Sequence, residues 1–335
     1  MAYRQLLLAL MEVVPAMLRK LSSLFGIASA MAIIAAGASA RAQSGGPEPP
    51  RKLTLATDDG VELAVTYYPS SLGKQAVPVV MLADHQTSQS VFAPFATRLH
   101  SPSEGDTAAN IPADAHQSFA VLTVDLRGHG DSLAQRLPNG ATRQIDATKL
   151  NRQDLAAMVA FDMKAVRKFL VDENDAGKLN INALSLVGAE LGATVAVNWA
   201  ATDWAWPPLA VGKQGQDVKA LVLVSPAWKF RGLNVQNALQ QPGLRTGVAV
   251  LMLYGKEDKK VSADVKRIYE LLEKQHPRSA SADPDELHDL MEIGAEIKIQ
   301  GTQLLKNKSA ENRIIAFLQK FIVEKNFPWS KRRND

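Results

Sequence analysis

The chain of 335 residues contains no cysteine. That excludes disulfides, thiolate metal sites, a cysteine nucleophile and a lipid anchor on a leader cysteine. It also lacks any repeat of solenoid or propeller period, and no histidine follows His288. Charge of one sign is not in excess either. The formal net charge is +4, but residues 1–42 hold Arg4, Arg19, Lys20 and Arg41 against Glu12, leaving 34 basic and 33 acidic side chains in the remainder. The one dense basic run, Lys331-Arg332-Arg333, reads as a solvated tail (residues 329–335), and no nucleic-acid partner is expected. What is present is ordinary globular material, 46% hydrophobic and 21% charged, in a chain long enough for a sizeable core.

The first 42 residues read as an export leader with an N-terminal extension. Arg19 and Lys20 form a charged start, Leu24 to Ala36 an apolar stretch, and Ala40-Arg41-Ala42 a small-x-small cleavage pattern. Leu6 to Met17 is apolar but broken by Glu12 and Pro15, so Met17 makes the cleaner start. An uncleaved anchor is the alternative, since Leu21 to Ala40 is about long enough to span a bilayer; the membrane is then touched through the leader alone. Ser44 to Pro50 (S-G-G-P-E-P-P), within residues 43–50, has linker composition.

From residue 51 the pattern is regular. Leu53–Ala56 and Val61–Tyr68 flank Asp58-Asp59-Gly60 and read as a hairpin. Val77–Ala83, Phe119–Val124, Ala183–Val187, Val218–Val224 and Val248–Tyr254 are short apolar runs of the kind buried on both faces of a parallel sheet. A final strand is expected at Glu296–Ile299. Helical spacing lies between them, at Val91–Leu99, Asp154–Leu170, Leu191–Ala201, Ala263–Lys274 and Ala310–Val323. A hairpin followed by strand–helix alternation implies one α/β domain over 51–328, with a mostly parallel sheet wrapped by helices on both faces. Ligand sites in such sheets lie at the carboxyl ends of the strands, here after Ala83, Val124, Val187 and Tyr254.

Two stretches carry a resemblance. Ile181 to Trp199 has the form of a nucleophile elbow, a strand entering a glycine turn that opens a helix; the usual G-x-S-x-G reads Gly188-Ala189-Glu190-Leu191-Gly192. Asp125-Leu126-Arg127-Gly128-His129-Gly130-Asp131-Ser132 matches the D-x-R-G-H-G-x-S run of the α/β-hydrolase family. With the order of elements, the chain resembles that family across nearly all of 51–328, in particular its esterase, serine-aminopeptidase and dienelactone-hydrolase members. Only about 22 residues (Ala227 to Val248) separate two late strands, so no large cap domain is expected.

The resemblance implies a serine, a histidine and an acid. The serine position holds Glu190, whose carboxylate has no proton to lose. The acid position, Gly255-Lys256-Glu257-Asp258, retains Asp258, although an aspartate also suits an ordinary turn. The base position reads Gln300-Gly301-Thr302-Gln303, and neither Thr302 nor Gln303 shuttles a proton near neutrality. The oxyanion loop reads Ala83-Asp84-His85, with a carboxylate where bare N–H groups are needed. The binding-pocket candidates are therefore Asp84, His85, Thr302 and Gln303. His129 reads as a packed residue, and Trp199, Trp204, Trp206 and Trp228 as packing aromatics that alternatively line a pocket.

Three readings stay open. The fold is a catalytically degenerate pseudoenzyme that serves as a binding or structural module, its small-molecule ligand or substrate unidentified; or it is a hydrolase using Glu190 as nucleophile or base; or Asp84, His85, Glu190, Glu257 and Asp258 hold Ca²⁺, Mg²⁺ or Mn²⁺. No cofactor is expected, and no local metal motif is present. Export places the protein in a periplasmic or extracellular space. N-terminal sequencing of the secreted form is expected to begin at Gln43; a start at Met1 or Met17 instead marks a retained, membrane-tethering leader.

Overall fold

A computed structural model of the chain describes residues 48–102, 119–207, 209, 212–276 and 287–333. All of these belong to one compact unit, Pro47–Asp335. The leader expectation falls outside the described residues. Among the described residues, no helix is long and apolar enough to cross a membrane.

The strands in chain order are β1 (Arg51–Ala56), β2 (Glu62–Tyr68), β3 (Val77–Leu82), β4 (Phe119–Val124), β5 (Ala134–Arg136), β6 (Thr142–Gln144), β7 (Leu184–Ala189), β8 (Val218–Val224), β9 (Lys229–Phe230), β10 (Leu233–Asn234), β11 (Ala249–Gly255) and β12 (Leu290–Ala295). Eight of them form one sheet in the order β1-β2-β4-β3-β7-β8-β11-β12. The β1–β2 and β2–β4 pairs are antiparallel, and the rest run parallel. The hairpin, the buried runs and the mostly parallel sheet agree with the sequence pattern. β3, β4, β7 and β11 are buried at every residue, because helices cover both faces and leave no side of those strands to water.

The helices are α1 (Ala93–His100), α2 (Arg152–Ala157), α3 (Met163–Asp175), α4 (Leu191–Ala205), α5 (Pro242–Gly247), α6 (Lys259–Glu273) and α7 (Lys308–Leu318). One face of the sheet packs under α2, α3, α4 and α6 through residues such as Met158, Val166, Trp199 and Ile268. The other packs under α1 and α7 through Phe95, Leu99, Ile314 and Phe317. The tryptophans pack rather than line an opening. Trp199 is buried against Trp206, Trp204 donates to the Val218 carbonyl at 2.9 Å, and Arg267 lies over Trp228.

Two expectations are corrected. The last strand is Leu290–Ala295, not Glu296–Ile299. Its register follows β11, from Val250 opposite Leu290 to Gly255 opposite Ala295. Beyond Gly255 the neighbouring chain turns away into α6, so the alternating Glu296–Ile299 has no strand to pair with. The basic run 331–333 is also not a free tail. Asn180, Asn182 and Asn174 donate to the Phe327, Pro328 and Ser330 carbonyls at 2.6, 2.7 and 3.0 Å. The Arg332 side chain, 3% exposed, is paired with buried Asp217.

The D-L-R-G-H-G-D-S run is turned inward. Ser132 Oγ donates to the Asp125 carbonyl and accepts from Ala64 N–H, both near 2.8 Å. Arg127 is buried between two carboxylates. Its Nε and Nη2 donate to Asp162 at 2.9 and 2.6 Å, and Nη1 donates to Asp59 at 2.6 Å. Asp162 sits in a single π turn, Met158–Asp162, that joins α2 to α3. The wider turn aims its carboxylate at the sheet, where burial outweighs the guanidinium and lifts its pKa to about 6. Arg127→Ala leaves Asp162 buried without its counter-ion, and urea denaturation at pH 7 is expected to show a loss of about 3–5 kcal/mol.

Candidate functional site

The site is built on the turn from β7 into α4. Glu190 takes φ 45° and ψ −103°, a strained conformation for a residue with a side chain. Its N–H donates to the Val224 carbonyl at 2.9 Å, and its own carbonyl accepts from Thr194 N–H at 3.1 Å. The elbow geometry is therefore intact. The glycines on either side are required by packing. A Cβ on Gly192 would run into the Leu82 backbone of β3, and one on Gly188 into the backbone of Gly192. The first turn of α4 thus lies against the sheet at backbone contact.

The Glu190 side chain is half-buried and accepts no hydrogen bond from any described residue. Burial, and then the nearby Asp84 carboxylate, push its pKa above the ordinary value. Asp84, in the loop after β3, is itself buried at 8% exposure. It is not vacant for a ligand. Both carboxylate oxygens accept from Thr302 N–H at 3.1 Å, and Thr302 Oγ1 donates to Oδ2. Burial nevertheless lifts the Asp84 pKa, and the Thr302 donors oppose that rise without cancelling it.

Thr302 is the second residue of a 3-10 turn, Gly301–Lys306, whose entry is fastened by Gln300. Gln300 Oε1 accepts from Ser225 Oγ at 2.6 Å and from Gly255 N–H at 3.2 Å, while its Nε2 donates to the Gly255 carbonyl at 2.8 Å. Gly301 N–H donates to Ser225 Oγ at 2.8 Å. The loops after β3, β8, β11 and β12 are so joined into one polar network beside the elbow. Ser225 and Gln300 were not among the expected site residues. Nothing local marks them, because their partners lie 45 and 75 positions away.

His85 is placed elsewhere in the same loop. Its Nδ1 lies 3.3 Å from His129 Nε2, and His129 Nδ1 lies 3.0 Å from the Arg127 carbonyl. A carbonyl only accepts, so neutral His129 carries its proton on Nδ1 and accepts at Nε2. His85 then donates from Nδ1, and its Nε2 keeps a bare lone pair. That atom is buried with no partner among the described residues, beside the Phe230 ring at 5.3 Å. Burial, with Arg231 and His129 nearby, lowers the His85 pKa to about 4. His85 is therefore neutral at pH 7 and a weak base.

The remaining candidates stand apart. Asp258 caps α6, its Oδ1 accepting from Lys260 and Val261 N–H at 2.9 and 3.0 Å. Glu257 and Gln303 are exposed. His276 and His288 lie at the amino end of β12, the far end of the sheet, where His276 pairs with Asp289 at 2.9 Å. His100 packs edge-on against Tyr68. No described histidine is hydrogen-bonded to Glu190. Among the described residues, no group of three or more His, Asp or Glu side chains could hold a metal ion. The five-residue cation cluster expected from the loops does not form, because Asp84 is committed to Thr302 and Asp258 to α6.

No protein-family model matches the chain, and no curated protein sequence matches it. Solved structures do. An esterase of Pyrococcus furiosus superposes with a TM-score of 0.54 at 16% identity, covering 82% of this chain and 93% of that one. A thermophilic carboxylesterase cloned from a metagenomic library gives 0.53 at 12% identity, covering 84% and 92%. A hyperthermophilic esterase of Pyrobaculum calidifontis gives 0.51 at 16% identity, covering 84% and 88%. The chain has the α/β-hydrolase fold.

Glu190 has a raised pKa, so its contribution to stability is present below its ordinary value of 4.5 and lost as pH rises through the folded-state value. Glu190→Gln is accordingly expected to raise Tm at pH 7 by roughly 2 °C. At pH 4 the gain should vanish. A variant Tm equal to the native Tm at both pH values would mean that the carboxylate is fully hydrated.

Proposed function

We propose that this is an exported α/β-hydrolase-fold protein in which the serine-hydrolase reaction has been lost and the fold acts by binding a small molecule. The observation that carries this reading is the pairing of Thr302 with Asp84 beside the elbow. The loop that should deliver a proton shuttle delivers a threonine, and that threonine is tied to a carboxylate. The triad works as a unit, and here the nucleophile, the base and the oxyanion loop depart together. Asp84 also sets a negative charge where an oxyanion would have to form. Export is supported by the charged, apolar and small-residue pattern of residues 17–42.

A second reading is favoured by one observation. Glu190 keeps the strained conformation of a nucleophile, and its carboxylate is free of hydrogen bonds from the described residues. In that reading Glu190 attacks an electrophilic carbon or activates water. The test uses the purified protein with short acyl esters, aminoacyl substrates and haloalkanes. Binding without chemistry leaves all of them at the buffer rate. Turnover that disappears in Glu190→Gln establishes the second reading, and turnover that survives it rules out both.

A further inference from the structure

A groove of about 910 Å³ lies on the α1–α7 side of the sheet, at the edge strand β12. Its apolar surface comes from Leu253, Ile293, Ile297, Ile299, Leu304 and Ala310. Ile297 and Ile299 are 36% and 51% exposed, two of only five large hydrophobic side chains that the described residues leave open to water. Their presence on one wall of one groove marks a patch rather than a scatter. The segment is the alternating Glu296–Ile299 that finds no strand partner, so its isoleucines are not covered by the sheet.

The rest of the lining is cationic or neutral. Lys306, Lys308 and Arg313 face the groove, and among the described residues no aspartate or glutamate lines it. None of the three cations makes an ion pair with a described residue. The nearest acid on α7, Glu311, is taken by Arg98 at 2.8 Å. A volume under about 1,000 Å³ suits a single small molecule rather than a helix or a bilayer. An apolar wall with an unneutralised cationic rim suits a molecule that is apolar at one end and anionic at the other.

We propose that this groove binds a free medium-chain fatty acid, with the acyl chain along Ile293, Ile297 and Ile299 and the carboxylate among Lys306, Lys308 and Arg313. Neither Glu190 nor Asp84 lines the groove, so the site stands whether or not the elbow retains chemistry.

Calorimetric titration of the purified protein with dodecanoate, below its micelle concentration, tests the proposal. Saturable one-to-one binding is expected. Decanoate and octanoate should bind progressively more weakly, by roughly fourfold for each methylene removed while the chain still fits the groove. Added salt should weaken binding, because the carboxylate contact is partly exposed. Lys306→Glu combined with Lys308→Glu should weaken dodecanoate by at least about tenfold, and Ile299→Asp should abolish binding. These residues are exposed, so circular dichroism should be unchanged. If a variant nonetheless fails to fold, the chain-length and salt series on the native protein decide. Absence of binding overturns the proposal. So does equal affinity for dodecyltrimethylammonium, which would mean apolar sorption alone. Concentration-dependent dimerisation that the Ile299→Asp substitution removes would assign the patch to a second copy of this chain and likewise overturn it.

Discussion

The architecture depends on the contact between the first turn of α4 and strand β3. Gly192 sits on the Leu82 backbone and Gly188 on Gly192, so helix and sheet meet with no side chain between them. That closeness forces the chain to reverse within one residue, and Glu190 bears the reversal at positive φ. The turn is therefore fixed by packing independently of which side chain it displays. A serine can be exchanged there without releasing the constraint, provided that the strain, of order 1–3 kcal/mol, is met by the surrounding core. Persistence of an elbow is evidence about the sheet and its helix before it is evidence about a reaction.

The polar groups around the turn follow from the same closeness. With α4 pressed to the sheet, the loops after β3, β8, β11 and β12 converge on a small area, and their polar atoms must satisfy one another. Gln300 and Ser225 fasten three of these loops, and Asp84 with Thr302 joins the fourth. A catalytic site needs donors and acceptors held open for substrate. Here Asp84 is spent on Thr302 and Ser225 on Gln300, and among the described residues the Glu190 carboxylate and His85 Nε2 are left over.

Much of the fold was legible because it is written in local periodicity. Runs such as Val77–Ala83 carry no polar side chain, as interior strands require, and the eight residues from Asp125 to Ser132 carry a recognisable run. The position of the elbow was legible for the same reason. What surrounds it was not. Asp84 and Thr302 are 218 positions apart, and no spacing announces their pairing. Arg127, Asp59 and Asp162 are likewise brought together only by tertiary packing. Glu296–Ile299 alternates as a strand should, yet the register of β11 had already been used by Leu290–Ala295. Pattern reports what a segment is able to do, whereas neighbours decide what it does. Asp258 illustrates this at the site, since its position suited a triad acid and its carboxylate caps a helix.

The two linked histidines have a consequence for how the molecule meets acid. Each donor points inward, His85 Nδ1–H to His129 Nε2 and His129 Nδ1–H to the Arg127 carbonyl, so the lone pair left over in the chain is His85 Nε2. A proton added there, at the end of the chain, would leave both hydrogen bonds intact. A proton added to His129 Nε2 severs the link between the two edge-on rings, and burial holds both rings below the ordinary histidine value. The neutral, linked pair therefore persists below the pH at which a free histidine becomes charged.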